Sequence, residues 1–165
     1  MAISGFSVAN KINDLRKDQN GRSYGGALVS EQNKAVVRRL IDEVWNRRAF
    51  DVADELFAPE AIIYESGVAL PGAGPAVVKE GIGAICAAYP DIRTTIDDMI
   101  AAGDKVVLRW SSVGTHQGVM QGIAPTNRKV AANGIAIYRF AAGKVVEEWM
   151  NTDQLGILKQ LGVVP

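Results

Sequence analysis

The chain has 165 residues, of which 18 are basic and 18 acidic, so its formal net charge is +0, and 48% of it is hydrophobic. At that length one domain with one sizeable core is expected, burying roughly 70% of the surface that the unfolded chain exposes. A balanced charge offers no general attraction for nucleic acid or an anionic membrane, which leaves a small apolar or aromatic ligand as the expected partner.

Residues 1–29 read as an N-terminal arm, rich in Gly, Ser, Asn and Lys, with a short helix over 8–16. They carry no signal-peptide pattern, and no apolar run in the chain approaches the roughly 20 residues of a membrane span, so a cytoplasmic protein is expected. From Ser30, placed as an N-cap, Val36, Val37, Leu40, Ile41, Val44 and Trp45 recur at the spacing of one helical face, with Trp45 completing a core stripe. A second helix over 51–57 stops at Pro59. A short strand follows over 61–65, and then a Gly- and Pro-rich loop over 66–74 that forms a lip over a cavity. Pro75 opens another helix, in which Val78, Ile82, Ile85, Cys86 and Tyr89 share a face until Pro90, and the lone Cys86 reads as an inert core thiol.

Alternation over 92–100 predicts a strand that turns at Gly103-Asp104 into three long strands over 105–117, 129–140 and 144–152. Asp153 caps a last helix. Helices grouped ahead of an antiparallel meander indicate an α+β fold over 30–165, and long strands curl, so the curved sheet wraps the helices around an internal hollow. The apolar parity of the long strands predicts a homodimer packed sheet to sheet.

Period two sorts the polar residues of the strands into two faces without saying which one looks inward. His116, the one histidine, is the natural proton carrier at neutral pH and sits at a strand end among glycines. Asn133 is a lone amide in an apolar run, either bonded within the protein or presented to a ligand. Arg109 pairs with Asp98 or Glu147, or reaches solvent. Tyr64 and Trp149 suit an aromatic wall, and the Asp97-Asp98 doublet places its carboxylates on opposite faces. No metal-ligand spacing, phosphate-cradling loop or nucleophile signature is present, and neither a metal nor a cofactor is expected.

Tyr89-Pro90-Asp91, Gly103-Asp104-Lys105, Gly114-Thr115-His116-Gln117-Gly118, Gly122-Ile123-Ala124-Pro125-Thr126, Tyr138-Arg139-Phe140 and Gly143-Lys144-Val145-Val146-Glu147-Glu148-Trp149 together resemble the SnoaL-like polyketide cyclases. That family lies within the superfamily sharing the cone-shaped, cystatin-like roll of ketosteroid isomerase and nuclear transport factor two. The resemblance covers about 31–162. It implies a cofactor-free intramolecular aldol condensation, with His116 as the donor and a carboxylate base on the strand over 129–140. That strand holds neither Asp nor Glu, with Asn133 and Ala136 where one is expected, so Asp98 or Glu147 is left to supply the base. Arg109 or Asn133 then steadies the oxyanion. A hydrolase like limonene epoxide hydrolase, with Arg109 between two inward carboxylates, and a non-catalytic ligand-binding or dimerisation module remain as alternatives.

Overall fold

The computed structural model describes residues 24–165; the arm helix expected over 8–16 lies outside them. Helix α1, Tyr24–Arg39, begins six residues before Ser30, so Ser30 is an interior helical position and not a cap. The helix continues as a π-wound segment, Leu40–Asn46, which buries Leu40, Ile41 and Val44. A single 3-10 turn, Phe50–Val52, leads into the four-residue α2, Ala53–Leu56. Strand β1, Phe57–Glu65, then starts four residues earlier than the alternation predicts and runs through Pro59.

Ser66 and Gly67 both take positive φ and fold the two-residue β2, Val68–Ala69, back onto β1, and no residue of the 66–74 segment, expected as a lip, lines the cavity between helices and sheet. Helix α3, Gly74–Ala88, carries Pro75 in its first turn as expected. The meander is β3, Arg93–Ala102, β4, Lys105–Thr115, β5, Lys129–Ala141, and β6, Lys144–Thr152. Helix α4, Gln154–Leu161, closes the chain, with the Asp153 carboxylate accepting from the Gly156 N–H at 2.8 Å.

The six strands form one sheet in the order β2-β1-β6-β5-β4-β3, antiparallel except where β1 runs parallel to β6. That single parallel seam brings the strand that leaves the helical layer beside the last strand of the meander. Val37, Leu40, Ile41 and Val44 from the first helix and Val78, Ile82 and Cys86 from α3 meet Val106, Leu108, Ala136, Tyr138 and Phe140 of the sheet in one core. Among the described residues no helix is long and apolar enough to cross a membrane.

Two bulges decide which side chains look inward. In β3 the register slips between Ile96 and Asp98, and in β6 it slips opposite Arg139 and Phe140, where Val145 pairs with Phe140 but Glu147 pairs with Arg139. Thr94 and Ile96 lie on the core side before the first slip, and Met99 and Ala101 after it. Val145 lies on the core side before the second slip and Glu148 after it.

Candidate functional site

Between the helices and the concave face of the sheet lies a cavity of about 130 Å³. Ile41 and Trp45 wall it from the first helix and Tyr89 from the end of α3. Leu108, Trp110 and Ser112 come from β4, and Ile157, Leu158 and Leu161 of α4 close the open side. Trp45, expected to be core, packs against the core and also borders the cavity. Gly134 makes room for the Trp110 indole, since a Cβ there would lie 2.5 Å from a ring carbon.

The polar groups on this wall are few and gathered along one seam. Tyr138 of β5 stands directly across from Glu148 of β6, and Glu148 in turn pairs with Ile63 of β1, so Glu65 comes two residues further along the same face. Thr94 and Ser112 form a buried hydroxyl pair at 2.8 Å. Among the described residues, Glu65, Tyr89, Tyr138 and Glu148 are the titratable members of the wall, and no Lys, Arg or His contributes to it.

Glu148 is 7% exposed. Its carboxyl is pushed up to about 7, chiefly because burial disfavours its charge; the Tyr138 hydroxyl opposes that shift and the Glu65 charge adds to it. Tyr138 is held well above the ordinary tyrosine range by the same burial and by the neighbouring carboxylate. Glu65 is half-buried, and its carboxyl is also raised, first by desolvation and against hydrogen bonds from Gln154 and Thr152. Its Oε1 is buried with no hydrogen-bond partner among the described residues.

The seven side chains singled out in the sequence do not converge here. Arg109 lies on the opposite face of the sheet, bonded to Asp98 at 3.0 Å and to Asp97 at 3.1 Å, with its side chain 54% exposed. The bulge at Asp97 turns Asp98 outward and puts both carboxylates of the doublet on one side, not on opposite sides. Arg109 does therefore stand between two carboxylates, but in solvent, outside the cavity. Glu147 is turned out by the second bulge and pairs with Arg139. Tyr64 and Trp149 stack at 5.6 Å on the outer face, where Asn133 is also exposed.

His116 is 0% exposed and lies on the core side, yet it is not part of the cavity wall. Its ring lies 5.2 Å from that of Tyr89, and its Nδ1 accepts the Thr126 N–H at 3.3 Å. The flanking glycines explain why. A Cβ at Gly118 would sit 2.4 Å from the Ala87 carbonyl, and the Gln117 and Gly118 N–H groups both donate to the Ala88 carbonyl at 2.9 Å. The Gly-Thr-His-Gln-Gly stretch is the joint that docks the end of β4 onto the end of α3. Glu148, Tyr138 and Glu65 were not singled out in the sequence.

Residues 35–161 match the family model described as SnoaL-like polyketide cyclase. Solved structures similar to the chain include AclR of Streptomyces galilaeus, provisionally assigned as a hydroxylase, at 26% identity over 82% of this chain and 84% of that one, with a TM-score of 0.74. IdmH of Streptomyces antibioticus, provisionally assigned as a polyketide cyclase, is 26% identical over 79% of this chain and 99% of that one, with a TM-score of 0.69. A SnoaL-like protein from Jannaschia Sp. CCS1 shares the fold with a TM-score of 0.75 at 24% identity, covering 83% of this chain and 96% of its own. No curated protein matches the chain.

Proposed function

The chain belongs to the SnoaL-like polyketide cyclase family, and from that premise we propose that it is a cofactor-free cyclase or isomerase that forms an enol from an uncharged carbonyl compound. One observation carries the reading: a buried carboxyl, Glu148, stands on the wall of an apolar cavity across from the Tyr138 hydroxyl, where burial pushes it up to about 7. A carboxylic acid kept neutral by an apolar site can donate to an oxygen that gains negative charge in the transition state. In this reading Glu148 and Tyr138 receive the substrate carbonyl oxygen, and Trp45, Leu108 and Trp110 exclude water around it. Removing water strengthens each of those hydrogen bonds.

The charge of the site supports an uncharged substrate. Two carboxyl groups, with no cation on the wall among the described residues, oppose a substrate bearing a free carboxylate, whereas a ketone or an ester meets no such penalty. The epoxide-hydrolase arrangement loses its support because the Asp97-Arg109-Asp98 cluster lies on the far face of the sheet.

The α-proton exchange of 1-tetralone in D₂O, followed by proton NMR at pH 6.5, tests the proposal. The protein is expected to exchange those protons faster than buffer alone, and Glu148→Gln is expected to slow the exchange on the order of 10²-fold. Exchange by Glu148→Gln at the wild-type rate would overturn this assignment.

A further inference from the structure

Glu65 ends β1 on the same inward face as Glu148, and its carboxyl shares the cavity wall with that residue. Gln154 and Thr152 oppose the rise that burial gives its carboxyl, while Oε1 has no hydrogen-bond partner among the described residues. Withdrawing a polar oxygen from water without a partner costs about 1–3 kcal/mol, and more for a charged one. That cost is offset when a ligand brings a proton to the oxygen.

We propose that Glu65 is the base that takes the proton from the carbon next to the substrate carbonyl, acting opposite Glu148 in one two-carboxyl cycle. This rests on the enol chemistry argued above. Glu65 removes the C–H proton while Glu148 gives its own proton to the carbonyl oxygen, leaving a neutral enol, a protonated Glu65 and an ionised Glu148. In ring closure the enol carbon attacks a second carbonyl of the same molecule and the new C–C bond forms. The second carbonyl's π pair moves to its oxygen, which takes the proton from Glu65, and the enol O–H returns its proton to Glu148. Substrate and product are isomers, both carboxyls finish as they began, and no co-reactant enters.

The division of labour follows from placement. Two carboxyls in one apolar cavity resist carrying two charges, so the pair holds one proton near neutrality. Glu148 lies deeper, across from Tyr138, and holds the proton more tightly; Glu65 is half-buried, and Gln154 and Thr152 oppose the rise that burial gives its carboxyl. The titratable groups on the wall around Glu65 are Glu148 from β6, Tyr138 from β5 and Tyr89 at the end of α3, while α4 contributes the uncharged Gln154. The substrate class narrows accordingly to an uncharged molecule carrying two carbonyl groups, one of them with an adjacent C–H.

The test compares Glu65→Gln with Glu148→Gln in the 1-tetralone exchange assay, with 1-tetralone affinity measured separately by NMR titration. Glu65→Gln is expected to lose exchange on the order of 10²–10⁴-fold while binding 1-tetralone within about threefold of wild type. Wild-type exchange by Glu65→Gln, with Glu148→Gln still impaired, overturns the base assignment and leaves the enol reading standing. Exchange no faster than buffer by the wild-type protein overturns both. Independently, carbon-13 NMR of the Glu side-chain carboxyls across a pH titration is expected to show Glu65 losing its proton at lower pH than Glu148. The reverse order would overturn the cycle without any substrate.

Discussion

Glu148 couples the proposed chemistry to stability. Its carboxyl is raised in the folded chain from an ordinary 4.5 to about 7. The folded state therefore binds the proton more tightly than the unfolded one between those values. The associated stabilisation is complete below about 4.5 and is lost as the pH rises to about 7, a span that corresponds to at most roughly 3 kcal/mol. Urea unfolding at pH 5.0 and 7.5 is expected to show the wild-type protein losing stability over this interval, and Glu148→Gln losing much less. Equal losses in the two proteins would remove Glu148 as the cause. The sequence hid this residue for a geometric reason. Reading apolar Val145 as inward puts Glu147 and Trp149 inward by strict alternation, and the bulge reverses that; the bulge at Asp97 does the same to Asp98. A one-residue slip exchanges the faces of everything after it, and nothing in the side-chain pattern marks where it falls. Glu65 was nearer to legible, since it follows the buried Ile63 at the spacing of one face.

The turns and the last helix set how firmly the cavity is closed. The β5–β6 hairpin turns through Ala142 and Gly143 at φ of 48° and 79°. A two-residue turn with both φ positive favours Asn-Gly, and an alanine there is strained. Ala142→Asn is expected to stabilise the fold by about 0.5–1 kcal/mol in urea unfolding, and a loss of stability would contradict this view of the turn. Helix α4 is fixed to β5 by Gln160, whose side chain accepts the Ala131 N–H at 2.9 Å and donates to the Ala131 carbonyl at 2.8 Å, and by Arg128, which donates to the Gln160 carbonyl at 3.2 Å. Since Ile157, Leu158 and Leu161 cover the cavity, Gln160→Ala is expected to raise both the association and the dissociation rates of 1-tetralone severalfold, with a smaller change in affinity. Unchanged rates would show that α4 does not limit access. The helix and its Asp153 cap were readable from the sequence, as were the three long strands to within two residues; that Gln160 clamps the helix depends on strand register and was not.

At the scale of the whole molecule, the α+β order, the helices packed on the concave face and the hollow between them follow from periodicity and turn chemistry, and the structure has all three. The outer face is what one isolated chain does not explain. Ile62, Val113 and Ile135 are 38%, 41% and 50% exposed there, on the same face as the stacked Tyr64 and Trp149 and the ion pairs of Arg109 with Asp98 and of Arg139 with Glu147, a mixture of apolar and polar groups that suits a surface covered by a second copy. Two copies are expected to pair through this face, and sedimentation is expected to give about twice 17.7 kDa for the wild type and a single chain's mass for Ile135→Asp. A wild-type protein that sediments as one chain would remove the dimer. Strand parity left both faces open as the inner one, so the sequence could not tell that Arg109, Asn133 and Trp149 lie on the outer face. Under the proposed chemistry a free acid meets only carboxyl groups on a wall that holds no Lys, Arg or His among the described residues, so an acid is expected to enter as its ester rather than as an anion.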